Sequence, residues 1–263
     1  MAYINNSENV KKQFQNAENL SYRISFYKKY DSAPYNFSDW IFEKYVLSNG
    51  DRVLELGCGD GCHWEKRVEK LPEGCKIILS DISDGMISEV RKRIHHKKIT
   101  TEVIDVQSIP YDNDYFDVVI ANHMLFHVPD LEKAICEIQR VLKPAGIFYA
   151  ATDSNEGIRP YLHSVLKLFD ASNDAFTEKI SFSVENGYDL LKKYFRHIDK
   201  YEYNYPLVVT NTSDLMRWLL STAGISGYSY EFFDELYSYF EKIRISSGSI
   251  LIPKKSGIFV SIK

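Results

Sequence analysis

Residues 51–61, Asp-Arg-Val-Leu-Glu-Leu-Gly-Cys-Gly-Asp-Gly, constrain the fold more than any other stretch of the chain. Val53, Leu54 and Leu56 form a short apolar run, the pattern of a buried parallel strand. Gly57, Gly59 and Gly61 follow at every second position. Lacking Cβ, glycine reaches positive φ and lets a ligand lie against the main chain. Strand, glycine turn and helix, in that order, form the entrance to a nucleotide-type site at the carboxyl edge of a doubly wound sheet.

The spacing narrows the ligand. A dinucleotide fingerprint, G-x-G-x-x-G, begun at Gly57 needs its third glycine at position 62, where the chain has Cys62. Glu55 and Asp60 flank the turn. A pyrophosphate needs main-chain donors and no adjacent negative charge, so two carboxylates repel it. They favour a nucleoside ligand that carries positive charge and no phosphates. S-adenosylmethionine is such a ligand.

Four further segments extend the pattern in order. Val53-Leu-Glu-Leu-Gly-Cys-Gly-Asp-Gly61 resembles the glycine motif of the class I S-adenosylmethionine-dependent methyltransferases, of the small-molecule type that serves ubiquinone and menaquinone biosynthesis. Ile77-Ile-Leu-Ser-Asp81 resembles their second strand, whose final acid binds the ribose hydroxyls. Ile104-Asp-Val-Gln-Ser-Ile-Pro-Tyr111 resembles the segment whose acid meets the adenine amino group. Phe116-Asp-Val-Val-Ile-Ala-Asn-His123 resembles the fourth strand, and Val141-Leu-Lys-Pro-Ala-Gly-Ile147 the turn into the fifth. Ala145 stands where the family's Pro-Gly-Gly turn has its first glycine. The resemblance covers residues 50–152 and implies an α/β, Rossmann-like fold: a seven-stranded, mostly parallel sheet with helices on both faces and helical cap segments.

Composition fits one enzyme domain with appendages. Of 263 residues, 44% are hydrophobic and 26% charged, and the net charge is −4. That balance provides no general attraction for nucleic acid or anionic membrane. No apolar run approaches a transmembrane span, and Met1–Glu8 lack the basic and apolar regions of a signal peptide. The four cysteines show neither metal-site nor disulfide-framework spacing. A reduced, cytoplasmic protein is expected.

Along the chain, residues 1–50 read as an amino-terminal helical cap, with helices at Asn16–Lys29 and Phe37–Leu47 broken by Ala33-Pro34. Residues 51–263 read as the methyltransferase domain, with a helical insertion at about 210–250. Helices are expected at 84–96, 130–142, 185–195 and within 213–245, and strands at Ile198–Val209 and Gly257–Ile262. Asp130 stands at an N-cap position. The basic run Arg91–Lys98 reads as cations at a helix carboxyl end, where the macrodipole favours them. Phe233, Leu236, Tyr237, Phe240 and Ile243 make a helical stripe that packs on the domain below.

The expected cofactor-binding residues are Glu55, Gly57, Cys58, Gly59, Asp60, Gly61, Asp81, Ile82, Met86, Asp105, Val106, Gln107 and Asn122. Asp81 follows an apolar strand, and a carboxylate accepts two hydroxyl hydrogen bonds at once. Ile82 and Met86 are placed against the adenine or in the core, and Cys58 as a small filler. The ranks of Asp105, Val106 and Gln107 come from the resemblance. Trp64, on the helix expected after the glycine turn, either walls the site or packs under the amino-terminal helices. Arg23 and Tyr27 are placed over the cofactor. His123 and His127 have i, i+4 spacing, but residue 124 is Met and no third ligand accompanies them, so no metal is expected. They are instead candidates to take a proton from the acceptor, with a structural histidine beside Pro129 as the alternative for His127.

The expected function is methyl transfer from S-adenosylmethionine to a small-molecule acceptor, without nucleic-acid or membrane partners. Methyl transfer is an in-line displacement that chiefly demands alignment and exclusion of water. Two alternatives remain: a non-catalytic S-adenosylmethionine-binding or partner-binding protein, which needs no acceptor cavity, and a nicotinamide-dependent oxidoreductase, disfavoured by Cys62 and the acidic loop.

Overall fold

The computed structural model describes residues 18–222 and 228–263. The start of the first expected helix, the first 17 residues of the expected cap, and 223–227 within the expected insertion lie outside the described residues.

Helices α1 (Glu18–Tyr30) and α2 (Phe37–Phe42) precede strand β1 (Arg52–Leu56). Then follow β2 (Lys76–Asp81), α3 (Asp84–Arg93), β3 (Ile99–Val103), β4 (Phe116–Asn122), α4 (Leu131–Val141) and β5 (Leu142–Asp153). The remainder comprises α5 (Ile158–Leu166), α6 (Gly187–Leu191), β6 (His197–Tyr203), β7 (Leu207–Val209), α7 (Thr212–Leu220), α8 (Tyr230–Ser247), β8 (Ile250–Ile252) and β9 (Ser256–Ile262).

Seven strands form one sheet in the order β3-β2-β1-β4-β5-β9-β6, as the sequence predicts for the doubly wound class. All neighbouring pairs are parallel except those of β9, which runs antiparallel to both β5 and β6. The strand order reverses between β1 and β4. In open α/β sheets the crevice outside the carboxyl ends at such a reversal is where ligands bind. Val53, Leu54 and Leu56 are buried, as a central strand covered on both faces requires.

Local signals explain the crossover helices. Asp130 caps α4 by accepting from the Lys133 N–H at 3.0 Å, and Ala134, Ile135, Ile138 and Val141 are buried on one face. Ser83 caps α3 through the Met86 N–H at 3.3 Å. One face of the sheet packs Leu54, Val119, Phe148 and Phe259 against α4 and the segment around Phe195. The other packs Val53, Ile77, Tyr149 and Tyr203 against Trp40, Ile41 and Trp64.

A third apolar cluster stands apart from the sheet. It joins Phe26 and Tyr30 of α1, Leu162 and Leu166 of α5, Leu215 and Leu219 of α7, and Leu236 and Phe240 of α8 around the antiparallel pair β7 and β8. Residues 18–30 thus pack with the segment after 206, whereas α2 packs on the sheet.

Several elements differ from expectation. No helix follows the glycine loop: residues 61–67 form turns leading to a single 3-10 turn, Val68–Lys70. The expected strand 198–209 is two strands in two sheets, separated by Asn204, Tyr205 and Pro206. Proline lacks the N–H that a continuous ladder needs. The helix expected at 37–47 ends at Phe42, the one at 84–96 at Arg93, and the one at 185–195 spans only Gly187–Leu191.

Candidate active site

A cavity of about 830 Å³ opens at the carboxyl edge beside the β1/β4 reversal. Small-molecule pockets occupy about 300–1,000 Å³, so this one is large. Its floor is the glycine loop and the ends of β1, β2, β4 and β5. Its other walls come from α1, the loop before α2, residues 174–180, and Trp218 and Thr222.

Of the expected cofactor residues, Glu55, Gly57, Cys58, Gly59, Asp60, Asp81, Ile82, Asp105, Val106, Gln107 and Asn122 line this cavity. Met86 and Gly61 do not. Met86 is fully buried at the start of α3, so its place is the core. Gly61 is required for packing: its φ is +74°, and a Cβ there would meet Val90 and Ile94 at 3.1–3.2 Å. Gly57, with φ +66°, does border the cavity, and a Cβ there would come within 2.6 Å of Met124.

The acids of the loop are not equivalent. Asp60 is buried and tied down: it accepts from the Cys62 N–H at 3.1 Å and Ser21 Oγ at 3.3 Å, and pairs with Arg93 at 2.9 Å. Arg93 compensates its charge, a partner that the loop's own sequence does not show. Arg93 is the one member of the basic run at the end of α3 that this pairing accounts for. Glu55 is 2% exposed and accepts hydrogen bonds from the Trp64 indole and from Asn122 Nδ2. Burial pushes its carboxyl up to about 7 against these two donors. Trp64 is closed off from solvent beneath Phe42 and Tyr45, the second of the two places expected for it.

Asp81 terminates β2 and faces the cavity. One oxygen accepts from the Gly59 N–H at 3.0 Å and the other from the Ser83 N–H at 2.9 Å. Burial raises its pKa, and these main-chain donors oppose the rise. Each oxygen keeps acceptor capacity for a ligand hydroxyl. Asp105 turns back on its own loop, accepting from the main-chain and side-chain nitrogens of Gln107 at 2.9 and 3.1 Å. Asn122 Nδ2 also donates to the Tyr45 hydroxyl at 2.8 Å.

Beyond the loop the cavity continues to His123 and His127. His123 has a left-handed backbone, φ +52°, fixed where its N–H donates to the Ala151 carbonyl at 2.8 Å. Its Nδ1 stands 3.6 Å from Asp153 Oδ2, and its ring packs 5.0 Å from Phe37. Asp153 ends β5 and accepts from Ser256 Oγ at 2.7 Å. Burial raises its pKa, but His123, the Ser256 hydroxyl and Lys254 outweigh that and hold it at about 2. His127 sits at the wall beside Phe126. Arg23 and Tyr27 line the cavity from α1, and Arg23 Nη1 donates to the Ser221 carbonyl at 3.3 Å.

Sequence reasoning missed Asp153, Arg159, Phe176 and Lys254, all of them on the wall. A signal for Asp153 existed: the run Ile147–Thr152 ends in an acid just as the second strand ends in Asp81. The other three carry no local mark.

Comparison with known proteins gives a consistent family. Residues 54–150 match the methyltransferase domain model. The ubiquinone/menaquinone biosynthesis C-methyltransferase UbiE of Vibrio campbellii is 32% identical over 144 residues, covering 53% of this chain and 54% of that protein. The chain thus spans about half the length of the curated relatives it matches. Among solved structures, the [4+2]-cyclase SpnF superposes with a TM-score of 0.62 at 18% identity, covering 98% of this chain and 96% of SpnF. Phosphoethanolamine N-methyltransferase 2 of Haemonchus contortus, solved with S-adenosyl-L-methionine, superposes with a TM-score of 0.56 at 17% identity, covering 99% of this chain and 59% of that one. The strand order, the domain match and the glycine loop agree on a methyltransferase domain over residues 54–150, set in a Rossmann-like, mostly parallel seven-stranded sheet.

Proposed function

We propose that the protein transfers the methyl group of S-adenosylmethionine to a small molecule held in the same cavity. One observation carries this reading: a single cavity has the glycine loop and Asp81 on one side and His123 with Asp153 on the other. A protein that only stored the cofactor needs no second compartment. The net charge of −4 favours a small acceptor over nucleic acid. Among the described residues no helix is long and apolar enough to cross a membrane, and the four free cysteines suit the cytoplasm as its setting.

The residues take these roles. Asp81 accepts the ribose hydroxyls. Asp105, Val106 and Gln107 border the adenine, with Ile82 against its face. The loop Gly57–Asp60 follows the cofactor's backbone, and Glu55 with Asn122 forms the polar floor at its methionine end. Bound S-adenosylmethionine supplies a methyl carbon already activated by the sulfonium. His123 would receive the proton that the acceptor sheds as the methyl–sulfur bond breaks, the methyl group passing to the acceptor's nucleophilic atom and S-adenosylhomocysteine leaving. Asp153 orients the imidazole and stabilises its charged form. The aromatic walls exclude water from the reacting atoms.

Calorimetry with S-adenosylmethionine, its demethylated product and nicotinamide dinucleotides tests the reading. Micromolar binding of the first two is expected, about −8 kcal/mol at 1 μM. Tight dinucleotide binding with no response to S-adenosylmethionine would overturn it.

A further inference from the structure

Arg159 is the anomaly of the cavity wall. It lies in the first turn of α5, and its guanidinium sits over the Phe176 ring at 5.3 Å. Its Nε is buried with no acceptor. Among the described residues it forms no ion pair and no hydrogen bond. Glu178 and Asp153 influence it electrostatically, but neither reaches it as a partner.

The neighbouring cations are differently placed. Lys254, also on the wall, pairs with Asp31 at 2.8 Å, both side chains being almost fully buried. Arg23 donates to the Ser221 carbonyl. Lys28 is exposed to solvent. Arg159 is thus a largely buried charge without a counter-ion. Burying an ion without a partner is unfavourable, and a bound anion would compensate it. A guanidinium offers a planar fork of donors that matches carboxylate and phosphate oxygens. Phe176 beneath it, with Tyr27, Phe37 and Phe126 elsewhere on the cavity wall, provides apolar surface for the rest of a ligand.

We propose that the methyl acceptor is a small anion with an apolar body, whose carboxylate or phosphate group is held by the Arg159 guanidinium while its nucleophile faces His123. The placing of the nucleophile at His123 rests on the methyltransferase reading. Asp153 and Glu178 restrict the anion to the Arg159 and Phe176 side of the cavity. Arg159 is a substrate-binding residue in this scheme, and it takes no part in the proton transfer.

The test is a calorimetric titration of the protein loaded with S-adenosylhomocysteine, using phenylacetate, phenyl phosphate and the neutral isostere phenylacetamide. Both anions are expected to bind, with the amide about thirtyfold weaker or more, and the stronger anion identifies the group recognised. Arg159→Gln should abolish the preference, Arg159→Lys should keep part of it, and neither should change S-adenosylhomocysteine affinity. That unchanged affinity also reports correct folding. Equal binding of amide and anions, retention of the preference in Arg159→Gln, or no anion binding up to millimolar concentration overturns the proposal. Failure to bind S-adenosylhomocysteine counts instead against the methyltransferase reading. The same titration of the unloaded protein then reads the anion preference by itself.

Discussion

His123 Nδ1 lies 3.6 Å from Asp153 Oδ2, one residue standing just beyond β4 and the other ending the adjacent parallel strand β5. The parallel register aligns the two strand ends, with Asn122 opposite Ala151. In the proposed reaction this placement makes His123 the proton acceptor, with Asp153 beside its ring.

Replacing His123 with Ala is expected to lower the rate of methyl transfer by about 10²–10⁴-fold, the usual contribution of a general base. Asp153→Asn should act in the same direction, because it leaves the ring unoriented. Affinity for S-adenosylhomocysteine, read by calorimetry, should stay unchanged in both. An equal loss of cofactor binding and turnover would make the pair structural.

Glu55 confers a distinct pH dependence on stability. Its folded-state pKa is raised from 4.5 to about 7. Between these values the folded protein binds more protons than the unfolded chain, so stability falls as pH rises through that window. Below it both states are protonated and no penalty exists. Above it the penalty is complete, on the order of a few kcal/mol at 1.36 kcal/mol per pKa unit. Urea unfolding at pH 5 and pH 8 should show a steeper loss in the wild type than in Glu55→Gln. Comparing slopes removes any offset from the hydrogen bond that glutamine makes differently with Trp64 or Asn122.

Asp81→Ala removes the acceptor at the end of β2. Hydrogen bonds to a charged group contribute about 1.5–3 kcal/mol each, so the dissociation constant for S-adenosylmethionine should rise at least tenfold. Circular dichroism should remain that of the wild type. Unchanged affinity in a folded variant would move the ribose away from this strand.

Ala145 holds φ +63°, a left-handed conformation that a Cβ disfavours. Ala145→Gly should relieve that strain, offset in part by the greater freedom of glycine in the unfolded chain. A net gain of about 0.5–1 kcal/mol in urea unfolding is expected, with cofactor binding unaltered. A loss of stability would mean that the Cβ makes a contact that outweighs its strain.

The amino-acid sequence by itself determined the central strands, the glycine turn, the capped helix after Asp130 and the acid at the end of β2. Each of these is decided within a few residues: apolar runs mark buried strands, glycine permits positive φ, and side-chain oxygens satisfy the first N–H groups of a helix. Only the tertiary structure decided the rest. It paired Asp60 with Arg93, 33 residues away, and so removed a charge that the loop shows when read alone. It turned Met86 and Gly61 into the core, split residues 198–209 between two sheets at Pro206, and brought Asp153 to His123 and Arg159 to the cavity wall. Those outcomes depend on which distant segments share a face or a strand edge. No local periodicity records that, because compensation of a buried charge and closure of a cavity are properties of residues far apart in the chain.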